Sequence, residues 1–125
     1  MEGWTLKVQT HFDSAHQLED YEGKCSRLHG HRWVVITHIK FERMGKGNIT
    51  VDFGILKKKL DGILPDHVNL NTALIEANPT AEWLACELFK VTQKELEKII
   101  DITINYRLVK IEVYETPECC VEYSE

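Results

Sequence analysis

The run Cys25-Ser26-Arg27-Leu28-His29-Gly30-His31-Arg32-Trp33-Val34-Val35-Ile36-Thr37 decides the fold. Its second half is rich in β-formers, so His29-Gly-His31 sits at the mouth of a strand. Strand side chains alternate between faces, which puts His29 and His31 on the same face, close enough to share one ion. Upstream, Phe12-Asp-Ser-Ala-His16 supplies a third imidazole, which has to come back from the other end of a short loop to complete the set. Three neutral imidazoles with an open fourth position form the ligand set of a catalytic zinc, because the open position admits substrate or water to the Lewis acid. Cys25, four residues before His29, reads either as a fourth ligand that closes the site or as a thiolate base beside it.

Outward from this run, residues 4–12 read as a first strand and residues 13–30 as a long polar loop carrying most of the candidate ligands. Residues 31–43 form the second strand, and Gly45-Lys-Gly47-Asn48 turns the chain. Asp52 is placed to cap a helix through about Leu64, with Phe53, Leu56, Leu60, Ile63 and Leu64 on one stripe and Lys57, Lys58 and Lys59 largely outside it. Pro65 ends that helix, and Asp66-His-Val-Asn-Leu-Asn71 is a loop. Asn78 as cap and Pro79 at the first helical position start a second helix running to Ile99 or Ile100. Its apolar stripe is Ala81, Leu84, Ala85, Leu88, Val91, Leu96 and Ile99. A third strand spans 107–115, Thr116-Pro-Glu118 turns, and a fourth strand spans 119–123; residues 101–106 fit either an extra turn or the start of strand three. The order strand-strand-helix-helix-strand-strand predicts an α+β fold: a four-stranded antiparallel sheet with two helices on one face. Its two open edges invite assembly, edge to edge, into a larger barrel.

At 125 residues the chain is a single domain, 1–125. A net charge of −5 argues against nucleic acid as partner, while leaving room for a local basic pocket. The longest apolar runs are about five residues, far short of a membrane span. Met-Glu-Gly-Trp shows no basic region leading into an apolar stretch, so no secretory signal is expected. Cys25, Cys86, Cys119 and Cys120 show no disulfide framework, and reduced thiols in the cytoplasm are the expectation.

Six segments, in order and with the right helices between them, resemble one enzyme family. They are Phe12-Asp-Ser-Ala-His16, Cys25-Ser-Arg-Leu-His29-Gly-His31, Val51-Asp-Phe53, Leu64-Pro-Asp-His-Val-Asn-Leu-Asn71, Asn78-Pro-Thr-Ala-Glu82 and Val113-Tyr-Glu-Thr116. The chain resembles, over essentially its whole length, the 6-pyruvoyltetrahydropterin and 6-carboxytetrahydropterin synthases of the tunnelling fold. The resemblance implies zinc on His16, His29 and His31, and Cys25 as a catalytic base and not a ligand. It also implies a proton-relay pair in Asp66 and His67, and Glu115 as the anchor of a pterin ring. Three residues separate Cys25 from His29, which looks like the bacterial and archaeal 6-carboxytetrahydropterin synthases of queuosine biosynthesis; the animal pyruvoyl-forming enzymes have a longer gap. Relatives assemble as hexamers of two stacked trimers with shared sites, and the same is expected here.

The expected reaction is a lyase step on 7,8-dihydroneopterin triphosphate, with zinc as the only cofactor. Cys25 near a cation would have its pKa lowered, which suits proton abstraction from carbon. Glu115 can accept two parallel hydrogen bonds from a ring nitrogen and an exocyclic amine; its bland alternative is a solvated turn residue. For Asp66-His67 the bland alternative is an Asx turn after Pro65. Thr80 and Glu82 are candidates for holding the ring, with helix capping and first-turn charge as the competing reading. Arg27 and Lys57 to Lys59 are candidates for the triphosphate, against ordinary solvated charge. Two alternatives stay open: the pyruvoyl-forming reaction, and a non-catalytic binding module built around a closed zinc.

Overall fold

The computed structural model describes residues 3–19, 22–73 and 78–125, with the side chain of Cys25 outside the described residues. Four strands, β1 (Trp4–His16), β2 (His29–Phe41), β3 (Tyr106–Thr116) and β4 (Cys119–Tyr123), form one antiparallel sheet in the order β1-β2-β3-β4. Helices α1 (Phe53–Gly62), α2 (Leu70–Ala73) and α3 (Ala81–Ile99) fall between β2 and β3 in the chain. The expected architecture is therefore present, with one added helical turn at α2.

Burial alternates along β1 and β2, except that His38 on the other face of β2 is also buried. Val8, Thr10, Phe12, Ser14 and His16 face the helices from β1, and Trp33, Val35, Thr37, Ile39 and Phe41 face them from β2. α3 lies across β3 and β4, with Phe89 edge-on to Tyr123, and α1 lies against β1. The buried row of α3 is Ala81, Leu84, Ala85, Leu88, Phe89, Thr92 and Leu96, the three-and-four spacing of one helix face. Val91, expected on that stripe, is 41% exposed, and Phe89 and Thr92 take its place. On α1, Leu56 and Leu60 are buried, but Phe53 is 64% exposed. Its first turn overhangs the sheet, where Phe53, Trp4, Met44 and Ile49 line a surface cleft.

Both strands that carry histidines are placed differently from the sequence expectation. β1 continues four residues past Phe12, and β2 starts two residues before His31, because His16 and His29 are cross-strand partners in one register. The extension is possible because the free edge of β1 is covered. Segment 65–71 runs along it: the Asp13 carbonyl accepts from His67 N–H (2.7 Å), and Ala15 N–H donates to the Val68 carbonyl (3.0 Å). Ser14 Oγ donates to the Pro65 carbonyl from the buried face. Paired edge groups cost nothing in desolvation, so the strand runs on.

Loop 66–71 is likewise part helix. Leu70 is buried at the start of α2, and the Asn69 carbonyl accepts from Thr72 and Ala73 N–H. The cap of α3 is Thr80 and not Asn78: Thr80 Oγ1 accepts from Trp83 N–H at 3.1 Å. Asn78 is engaged elsewhere, its amide bonding both main-chain groups of Glu19. Asp52 caps α1 as expected, accepting from Ile55 N–H. Residues 101–104 form a turn in which the Asp101 carboxylate accepts from the Thr103 main chain and hydroxyl. β3 then begins at Tyr106.

Candidate active site

The strand register brings three rings together on the helix-facing side of the sheet. His16 and His29 have ring centroids 4.4 Å apart, and His16 and His31 5.3 Å apart. Beneath them Trp33, fully buried, sits 4.3 Å from the His31 ring and 4.8 Å from that of His16, itself stacked on Phe12. This aromatic floor restricts how the imidazoles can turn.

Each ring's Nδ1 is spoken for by a main-chain carbonyl: Pro79 for His16 (2.9 Å), Arg27 for His29 (2.8 Å) and Arg32 for His31 (3.1 Å). A carbonyl only accepts, so each Nδ1 carries the proton and each Nε2 keeps its lone pair. That is the outer-shell arrangement that orients metal-ligating histidines. Burial holds the His16 pKa below its ordinary value, which keeps the ring in the neutral form a metal requires.

Glu115 completes the cluster. Its Oε1 lies 3.5 Å from His16 Nε2 and 3.8 Å from His31 Nε2, and one donor atom from each of His16, His29, His31 and Glu115 falls within 4.8 Å of the others. His16 Nε2 and His31 Nε2 stand 3.4 Å apart; two nitrogens about 2.1 Å from one tetrahedral zinc would be separated by about this much. The donor set fits such an ion. Glu115 reaches the group because β3 bulges there: Tyr114 pairs with Cys120 and Thr116 with Cys119, leaving residue 115 unpaired. A bulge re-aims the side chain of its extra residue, and this one is turned from a solvated position into the cluster.

Asp66 and His67 form a second group, together with Asp13. Asp66 Oδ2 is 2.8 Å from His67 Nδ1, and Asp66 Oδ1 accepts from Asp13 N–H at 2.8 Å. These two bonds, the Asp13 one foremost, hold the Asp66 carboxyl below the usual carboxylate range. His67 occupies the left-handed region at φ 56°, where a non-glycine residue is strained and must be held by its surroundings.

The other expected site residues are scattered. The Thr80 hydroxyl is used in the α3 cap, and Glu82 is exposed in the first turn of that helix. The Arg27 side chain is exposed; its carbonyl serves His29. Lys57, Lys58 and Lys59 are exposed on α1. Cys25 belongs to a short 3-10 turn, Lys24–Ser26, just before β2, and its side chain lies outside the described residues. Sequence reasoning missed the supporting groups: Trp33 under the rings, the Pro79 carbonyl, and the amides of Asn71 and Asn78, which bond the main chain of Gln17 and Glu19 just beyond His16. The Asn residues lay in the quoted motifs, but nothing local says which backbone an amide will meet.

Fold and site together define an antiparallel α+β domain with an imidazole-carboxylate group suited to a metal ion. The profile of the 6-pyruvoyl tetrahydropterin synthase family matches residues 5–125, and the chain belongs to that enzyme family. It is 33% identical over 93 residues to the 6-carboxy-5,6,7,8-tetrahydropterin synthase of Synechocystis sp., covering 69% of this chain and 72% of that one. The protein of the same name from Rickettsia conorii is 26% identical over 89% of this chain and 93% of its own. Among solved structures, Caenorhabditis elegans 6-pyruvoyl tetrahydropterin synthase superposes with a TM-score of 0.77 at 25% identity, over all of this chain and 97% of that one. The family expected from the six motifs is thus the family matched. Among the described residues no helix is long and apolar enough to cross a membrane.

Proposed function

We propose that the protein is a zinc-dependent lyase that converts 7,8-dihydroneopterin triphosphate to 6-carboxy-5,6,7,8-tetrahydropterin, releasing acetaldehyde and triphosphate. The observation that carries this reading is the convergence of His16, His29 and His31, each with Nδ1 bonded to a carbonyl and Nε2 left free. These three residues would hold zinc, which when bound supplies Lewis acidity toward the hydroxyls of the substrate side chain. Cys25 removes a side-chain proton. Asp66 fixes the proton of His67 on Nδ1, so that Nε2 is the position that takes up and returns protons. Glu115 accepts hydrogen bonds from the ring N–H and amine of the pterin, with Thr80 and Glu82 near the ring and Arg27 near the triphosphate. The ring is reduced at the expense of its own side chain, so no nicotinamide or flavin takes part.

The names of the Synechocystis and Rickettsia relatives and the short Cys25–His29 spacing support the carboxy-forming product. The likeness to the nematode enzyme supports the second reading, formation of 6-pyruvoyltetrahydropterin by triphosphate elimination. Acetaldehyde release from dihydroneopterin triphosphate separates the two. The Cys25→Ala variant tests catalysis itself: zinc content and thermal stability stay at the wild-type level while turnover is lost. Loss of zinc and fold instead makes Cys25 a ligand and the protein a zinc-stabilised binding module. We also place the enzyme in the cytoplasm, in queuosine biosynthesis, as a homohexamer of two stacked trimers joined through the open sheet edges.

A further inference from the structure

The Asp66–His67 pair has a competitor beside it. The Asp13 carboxylate lies within 4.8 Å of both the Asp66 carboxylate and a ring nitrogen of His67. Asp13 is therefore a second carboxylate able to accept an N–H of the same imidazole. Its oxygens are turned to Arg32 on the neighbouring strand, which grips them with two parallel bonds, Nε to Oδ1 at 2.9 Å and Nη2 to Oδ2 at 3.1 Å. Asp13 and Arg32 are cross-strand partners, so the grip is set by the register that also brings His16 to His29. With its side chain held aside, Asp13 serves the pair only through its main chain. Its N–H donates to Asp66 Oδ1, and its carbonyl accepts from His67 N–H. Among the described residues, the ionisable groups beside the pair include Asp13 and His11 from β1 and Arg32 from β2.

We infer that Arg32 is a positioning residue for the Asp66–His67 pair: by occupying both oxygens of Asp13 it leaves Asp66 as the single carboxylate partner of His67 and so fixes the His67 tautomer. A bidentate guanidinium-carboxylate pair suits this task because it satisfies both oxygens in one plane. A lysine, as a point charge, would leave one oxygen free to turn toward His67. The inference rests on the proton-relay role proposed for this pair.

The test compares wild type, Arg32→Gln, Arg32→Lys, Asp13→Asn and the Arg32→Gln/Asp13→Asn double variant. Zinc content, kcat and KM for dihydroneopterin triphosphate, and the imidazole 15N shifts of His67 are measured for each. In Arg32→Gln, kcat falls about tenfold, part of the roughly 10²–10⁴-fold a placed acid-base group supplies. KM and zinc content stay within twofold, and the His67 shifts leave the Nδ1–H pattern. Arg32→Lys falls between Arg32→Gln and wild type. Asp13→Asn in the Arg32→Gln background removes the competing carboxylate and restores both kcat and the shifts. A wild-type kcat and shift pattern in Arg32→Gln, a rise in KM alone, or no restoration in the double variant each overturns the inference. A wild-type protein inactive on this substrate would overturn the proposed function instead; the His67 shifts would still decide whether Arg32 sets the tautomer.

Discussion

His16 and His29 face each other as direct cross-strand partners, with ring centroids 4.4 Å apart. A single register places them together, and the two-residue step to His31 adds the third ring on the same face. Replacing any one of His16, His29 or His31 with alanine should leave less than one zinc per chain after dialysis, as read by elemental analysis. Replacing His11, on the opposite face of β1, should leave zinc unchanged. Full zinc retention in His16→Ala would remove that residue from the ligand set.

Glu115 separates ligand from anchor. Proposed as the pterin anchor, it should tolerate Glu115→Gln without losing zinc. Turnover should fall by about 10- to 100-fold, the weight of a hydrogen bond to a charged group of about 1.5–3 kcal/mol. Loss of zinc from Glu115→Gln would show that the carboxylate, 3.5 Å from His16 Nε2, belongs to the metal.

Trp33 supports the rings by volume and not by hydrogen bonding: it is fully buried, and its Nε1 has no partner among the described residues. Trp33→Ala should cost about 3–5 kcal/mol in urea denaturation and loosen zinc as well. Trp33→Phe gives up no hydrogen bond and should cost clearly less. Equal losses in the two variants would contradict this account.

The α3 cap makes a simple comparison. Thr80→Ala should cost about 1 kcal/mol of stability. Asn78→Ala should instead act at Glu19, where its amide bonds the main chain, and show up as faster amide hydrogen exchange just beyond His16. Equal protection around residue 19 in both proteins would reject that role.

Acid should release the edge of β1. Arg32 holds the Asp13 carboxyl below its ordinary value of 3.8, and Asp13 N–H does the same for Asp66. A depressed carboxylate stabilises the fold fully above its ordinary value, and that contribution is lost as pH falls through the depressed one. Stability should therefore be flat in this respect above pH 3.8 and drop below it. An Asp13→Asn/Asp66→Asn variant should show a shallower acid limb in thermal melts across that range.

The strands, the two long helices, the cap at Asp52 and the His-x-His pair were all legible, since alternation, three-and-four spacing and cap residues are written over a few neighbouring positions. The boundaries around the site were not. β1 runs on to His16 because segment 65–71 covers its edge, and Asn78 leaves the α3 cap because Glu19 engages its amide. Both depend on contacts more than fifty residues apart in the chain.

The sequence by itself determined the order of elements, the family and the residue types of the site, because periodicity and motif spacing need no partner from elsewhere in the chain. Only the tertiary structure decided which groups meet. It put Glu115 with the imidazoles through a bulge in β3, fixed each Nδ1 on a particular carbonyl, and set Asp13 beside Asp66 and His67 with Arg32 holding it. The physical reason is that hydrogen-bond partners across a sheet follow from register and bulge position, and these are settled by packing of the whole chain.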